Sequence, residues 1–295
     1  MVWIVMAAQY NSCSAVASHS CVRLAAPMIR RTLALVALTL CSCVTLSPVD
    51  QALSLSRQER RSEAEQLLKK DLAEHPDDVP ARKLLIRFYG FDGDLGAAQA
   101  QVDELRARVK SGDPSPEIEL GHAYELAHKF DEALAQYDAA ANVAPNSPAG
   151  PLEGGMRTAR WGEVELAKPR LEEAIKRGAR DAETYHALGV VRLHLKDVDG
   201  AEQAYREGLR ADPKHDENLI GLATVAIMRD DAKGALAAYD ALVAKHPNYA
   251  AGHLGRAWAL AKLGKKDEAR AAIDRAEALG APKANVDRQR ASLGP

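Results

Sequence analysis

The sequence predicts an all-α protein built as a solenoid of helical hairpins, and three observations predict it. Alanine recurs as Ala64, Ala98, Ala133, Ala167, Ala201, Ala235 and Ala269, at intervals of 34, 35, 34, 34, 34 and 34 residues. Four residues after each alanine, one helical turn along the same face, stands a larger residue: Leu68, Val102, Tyr137, Leu171, Tyr205, Tyr239 and Ile273. Twelve residues before each alanine stands Ala52, Ile86, Gly121, Gly155, Gly189, Ala223 or Ala257. Small residues at the two alanine-register positions let the helices of a hairpin approach closely, and the larger residue fills the space beside them. Twelve residues after the alanine, Pro76, Pro145, Pro213 and Pro247 stop the second helix, while Lys110, Ala179 and Ala281 hold that place in the other copies.

The unit is clearest from Ala182 to Pro213, two amphipathic helices joined by a short polar turn. Leu188-Gly189 lies on its first helix, with Arg192 following, and Leu120-Gly121 with Tyr124 stands in the same register two units earlier. This 34-residue helix-turn-helix pattern resembles the tetratricopeptide repeat. The resemblance implies a right-handed superhelical solenoid of about seven repeats over residues 51–283. Its units lie near 45–78, 79–113, 114–147, 148–181, 182–215, 216–249 and 250–283, with a C-terminal cap or tail at 284–295. Each unit then contacts mainly its neighbours.

The elements in order carry several local expectations. The first repeat is ragged, because Gln51 to Leu55 keeps little of the first-helix pattern. The second turns at Gly90-Phe-Asp-Gly93 and carries one extra residue at Ser111-Gly-Asp-Pro114. In the fourth, Gly154-Gly155 lies inside the first helix and Pro169 inside the second. A helix-interior glycine costs up to about 1 kcal/mol and a proline about 3 kcal/mol, so a kinked or late-starting helix is expected, and either a hinge near Pro169 or plain sequence drift in a tolerant repeat accounts for it. Gly280 suits the C-terminal cap of the last repeat helix. Beyond it, Arg288, Gln289 and Arg290 would give a terminal turn a polar outer face.

The N-terminal part reads differently. Met28-Ile-Arg-Arg opens a segment with an apolar run from Leu33 to Leu40, far shorter than the roughly 20 residues of a membrane-spanning helix. The ending Leu40-Cys41-Ser42-Cys43 resembles the bacterial lipoprotein box. That resemblance implies a signal peptide at 28–42, lipid on Cys43, and a tether at 43–50 reaching roughly 25 Å at most. Residues 1–27 are then expected to precede the true start at Met28. Val44 in place of an acidic residue implies sorting to the outer membrane, facing the periplasm.

Charge and cysteine usage narrow the function. The formal net charge is −2. Residues 1–42 hold three arginines and no acid, so the remainder carries 36 basic and 41 acidic residues, which argues against a nucleic-acid partner. All four cysteines lie at 13, 21, 41 and 43, leaving the repeats without a disulfide framework or thiol metal site. No phosphate loop, H-E-x-x-H helix or Gly-x-Ser-x-Gly elbow occurs. The expectation is a protein without catalytic activity, cofactor, metal or small-molecule substrate. His186 and His194 share a helical face and His122 recurs in another unit, but no acid stands beside them at ligand spacing, so they read as solvated groove residues.

What remains is recognition. The family pattern places the first helix of each unit on the concave surface. The partner-facing positions would be Ile118, His122 and Glu125, then Leu152 and Met156, then His186, Val190, Leu193 and His194. Ile220, Thr224 and Ile227 follow, then Leu254 and Trp258. The Lys and Asn clamp of chaperone-binding members is absent. A mostly apolar groove would receive a helix or extended segment of one or more envelope proteins. The layout looks most like the pilotin-type lipoproteins that assist assembly of type IV pilus secretins. Adaptors of peptidoglycan hydrolases, a cytosolic scaffold and, remotely, a cell-wall enzyme are the alternatives.

Overall fold

The computed structural model describes residues 46–294, so the expectations for Cys43, for the signal peptide and for residues 1–27 lie outside the described residues. Among the described residues there are fifteen helices and no strand. In order they are α1 (Pro48–Arg57), α2 (Arg61–Glu74), α3 (Val79–Asp92), α4 (Leu95–Arg106), α5 (Ser115–Leu126) and α6 (Phe130–Val143). Then come α7 (Ala149–Trp161), α8 (Val164–Lys176), α9 (Ala182–His194), α10 (Val198–Ala211), α11 (Asp216–Met228) and α12 (Ala232–Lys245). The last three are α13 (Ala250–Lys262), α14 (Lys266–Ala278) and α15 (Lys283–Ser292). Each odd-numbered helix packs on the helix after it, and that one on the next hairpin, so seven hairpins stack in line.

The steric code of the repeat is visible in the core. All seven register alanines are fully buried, and so are Leu68, Val102, Tyr137, Leu171 and Ile273. A Cβ built on Gly189 would lie 2.4 Å from Tyr205 Cε1, closer than any side chain tolerates, so the ring seats directly on backbone. The turn between the two helices has its own constant. Glu59, Gly93, His128, Gly162, Lys196, Asp230 and Gly264 all adopt positive φ, between 56° and 88°. The next residue donates its N–H back to the first helix, as in Asp197 N to Arg192 O at 2.8 Å and Lys265 N to Leu260 O at 3.0 Å. This closes each first helix with a left-handed residue whether or not glycine is available.

Three local expectations need correction. Pro48 to Asp50 are not tether: α1 starts at Pro48, with Ser47 accepting from Asp50 N, and Ala52 is fully buried. Proline suits this first helical position because its missing N–H would have no partner there. Nor does α8 start late. The second helices begin at Phe130, Val164, Val198, Ala232 and Lys266, all 34 residues apart, and α8 runs uninterrupted through Pro169. Pro169 and Glu165 are exposed, so the carbonyl that loses its partner lies on the solvent side of α8, while Ala167, Leu171 and Ala174 hold the helix from its buried side. The C-terminal residues form no mere turn. α15 packs on α13 and α14, burying Val286 and Leu293 in their core.

Candidate partner-binding groove

Among the described residues, first helices of successive repeats pack on one another (α1 on α3, α3 on α5, α7 on α9, α9 on α11), and no pair of second helices does so to that degree. The first helices therefore stand on the inside of the curve. Their exposed positions make the groove.

The predicted residues divide sharply. Leu254 is buried in the C-terminal core beside Leu260 and Ile273. Leu152 and Met156 pack against the cluster of Leu171, Leu188 and Val191. Leu193 packs on Tyr205 and Val225. Trp258 lies half-buried beside Ala235 and Ala259, with the Lys262 ammonium 5.7 Å from its ring centroid. Ile118, Val190, Ile220 and Thr224 are half-buried, and the Thr224 hydroxyl donates to Ile220 O at 2.9 Å. Only His194 and Ile227 of the predicted set are exposed. Met228, absent from that set, is 57% exposed beside Ile227. These positions lie on the seam between consecutive first helices, so most of them pack sideways rather than face outward.

The expectation of an apolar groove with solvated histidines fails in repeats two to four. His122 is buried, and carboxylates reach it from two repeats. Its Nδ1 lies 3.3 Å from Glu119 Oε2 and its Nε2 3.3 Å from Glu153 Oε2. Arg87, on α3, donates twice to Glu119, at 2.7 and 2.9 Å. On α7, Arg157 donates to Glu153 at 3.2 Å and approaches Glu125 at 3.3 Å. Glu125 also accepts from Trp161 Nε1 at 3.2 Å and Tyr137 Oη at 3.3 Å. Bidentate arginine–carboxylate pairs of this kind are the strong ones.

The electrostatics follow from the partners. Burial opposes a charge on His122, but the hydrogen bonds with Glu119 and Glu153 outweigh it and raise the imidazole above its ordinary value near 6.5. The hydrogen bond from His122, against the opposing effect of burial, brings the Glu153 carboxyl down to about 2. His186 shows the opposite balance. It stacks against Tyr205 and His215 without a hydrogen-bonded acid, and burial lowers its pKa.

Sequence reasoning missed Arg87, Glu119, Glu153, Arg157 and Trp161. One signal was available: Glu119 and Glu153 are 34 residues apart, at the same repeat position. A second concavity of about 700 Å³ opens at the turns of repeats three and four, around Phe130, Trp161 and Leu166. Phe130 and Trp161 meet there with centroids 4.9 Å apart. No group of three or more His, Cys, Asp or Glu side chains is placed to hold a metal among the described residues, and no helix there is long and apolar enough to cross a membrane.

Comparison with known proteins agrees with this architecture. The tetratricopeptide-repeat family profile matches residues 160–216 and 220–284. A heat-shock protein cognate co-chaperone of Aspergillus fumigatus, sgt12, is 28% identical over 119 residues, covering 39% of this chain and 35% of that protein. The chain thus spans about a third of that relative's length. Among solved structures, the C-terminal part of a TPR repeat-containing protein from Cytophaga hutchinsonii aligns with TM-score 0.60 and 18% identity, over 81% of this chain and 98% of that one. YrrB, described as a TPR protein with an unusual peptide-binding site, aligns with TM-score 0.57 and 16% identity, over 64% of this chain and 97% of that one. The fold is a superhelical tetratricopeptide-repeat array.

Proposed function

We propose that this tetratricopeptide-repeat solenoid is a non-catalytic adaptor that holds a segment of another protein along the first helices of repeats five to seven. Arrays of this fold serve as protein-interaction scaffolds, and both the co-chaperone similarity and the YrrB likeness support that class of role. The observation that carries the reading is the exposed pair Ile227 and Met228 at the end of α11, with half-buried Val190, Leu193 and Trp258 on the neighbouring first helices. Exposed apolar groups grouped on one face mark partner sites more often than isolated ones do. The partner segment would lay an apolar face there.

The finer reading rests on the N-terminal sequence. Lipid on Cys43 would anchor the array in the periplasm at the outer membrane, within reach of envelope partners such as a type IV pilus secretin or a peptidoglycan hydrolase. Capture from detergent-solubilised envelopes tests the groove. Ile227→Ala with Trp258→Ala should lose the partner while keeping helicity, and undiminished capture would remove the groove from the model of function. Intact mass of the membrane-extracted chain beside Cys43→Ala tests the anchor. A diacylglycerol-modified chain starting at Cys43 is expected, and an unmodified chain starting at Met1 would sink the envelope assignment while leaving the scaffold reading open.

A further inference from the structure

The junction between repeats three and four is built unlike its neighbours. α5 and α7 do not pack on each other as α3 and α5 or α7 and α9 do. Side chains span the gap instead: His122 to Glu153, and Glu125 to both Arg157 and Trp161. One nitrogen of this bridge has two partners with opposite demands. His122 Nε2 lies 3.3 Å from Glu153 Oε2, which can only accept, and 3.2 Å from Arg157 Nη2, which can only donate. Nε2 therefore meets the first partner when it carries a proton and the second when it does not. Nδ1 keeps its proton toward Glu119 in both states.

We propose that repeats three and four are coupled by a proton-operated exchange at His122. With the proton on, Nε2 donates to Glu153 and Arg157 is left to the two carboxylates Glu153 and Glu125. When that proton leaves for solvent, Nε2 accepts from Arg157 and draws the guanidinium away from Glu125, the residue that holds the Trp161 indole.

Every charged or titratable group facing the imidazole belongs to this account. Glu119 lies on its own helix, Arg87 on α3, Tyr137 on α6 with ring centroids 5.8 Å away, and Glu153 and Arg157 on α7. Protonated, the cluster balances Arg87, His122 and Arg157 against Glu119, Glu125 and Glu153. Deprotonated, it carries one negative charge in excess on the inner face. The hydrogen bonds with Glu119 and Glu153 put this exchange above the ordinary imidazole value near 6.5. Its stabilising share is complete below pH 6.5 and is lost as pH rises through the folded value. The share from Glu153 is complete above pH 4.5 and is lost as pH falls toward about 2.

Trp161 is the reporter. In the full chain with Trp3 and Trp258 replaced by phenylalanine, Trp161 emission is followed from pH 5.5 to 9. One titration step is expected in this background, and none in His122→Gln. In Glu153→Gln the step should persist with its midpoint lower by about half a pH unit or more, because one of the two acids that favour the imidazolium has gone. A flat profile in the starting background, a step that survives His122→Gln, or an unmoved midpoint in Glu153→Gln would each overturn the proposal.

Discussion

Repeats three and four and repeats five to seven use the same backbone positions for different ends. One position on the first helix reads Glu119 and Glu153 in the first group, then Ala187, Gly221 and Gly255 in the second. Three residues on, it reads His122, Met156, Val190, Thr224 and Trp258, and three further Glu125, Ala159, Leu193, Ile227 and Ala261. Where carboxylates stand, neighbouring first helices are tied by arginines and a histidine. Where glycine stands, tyrosine from the second helix fills the seam: a Cβ on Gly221 would lie 2.5 Å from Tyr205 Cε1, and one on Gly255 2.1 Å from Tyr239 Cζ. The first solution spends the inner face on internal pairing. The second packs through tyrosine against glycine and leaves Ile227 and Met228 uncovered. A repeat tolerates both because its hairpin packing does not depend on what the inner face carries.

The largest effect should come from the tightest approach. A Cβ on Gly90 would meet Ala123 Cα at 2.4 Å and its carbonyl oxygen at 2.6 Å, so α3 and α5 touch backbone to backbone. Neither atom can swing aside. Gly90→Ala should cost about 3 kcal/mol in urea unfolding. Gly221→Ala meets the edge of the Tyr205 ring, which can tilt, and should cost about 1 kcal/mol. Equal costs would mean that the two halves pack alike after all.

The polar bridge ranks next. Glu119→Ala leaves His122 buried without its Nδ1 partner and Arg87 without its bidentate acceptor. Removing one member of a buried charge network costs roughly 3–5 kcal/mol, but Arg87 is 45% exposed and can turn to water, so about 2 kcal/mol is expected at pH 6. The loss should shrink as pH rises through the titration of His122, because the neutral imidazole asks less of the acid. A loss independent of pH would assign Glu119 to packing alone.

The 34-residue period was legible because it is steric: alanine, glycine and tyrosine at set spacing leave few other arrangements. The bridge was not, because its members come from three repeats: spacing within α5 puts Glu119 and Glu125 three residues either side of His122, but nothing there shows that Arg87, Glu153 and Arg157 meet them. Comparison down the register, Glu119 with Glu153, points across the repeats. Leu152, Met156 and Leu254 were assigned to the groove because the family pattern marks a position rather than a depth. At the seam between first helices the same position serves core or surface according to the size of its neighbours. α15 was obscured by composition, since Lys283–Ser292 is polar throughout apart from Val286 and the two alanines Ala284 and Ala291, and its docking rests on Val286 and Leu293.

The smallest effect on stability should come from the residue with the most to lose in function. Met228 is 57% exposed at the last position of α11, next to Ile227, so Met228→Ser removes little buried area. Its unfolding midpoint should match the parent within about 0.5 kcal/mol. A solvent-facing methionine that the fold does not need, set at the rim of the half whose inner face is uncommitted, is placed to adapt to an apolar ligand surface. Loss of partner capture at unchanged stability would separate the binding half from the bridged half. A midpoint lowered by more than 1 kcal/mol would instead make Met228 part of the packing between repeats, and the contrast between the two halves would narrow to the carboxylates alone.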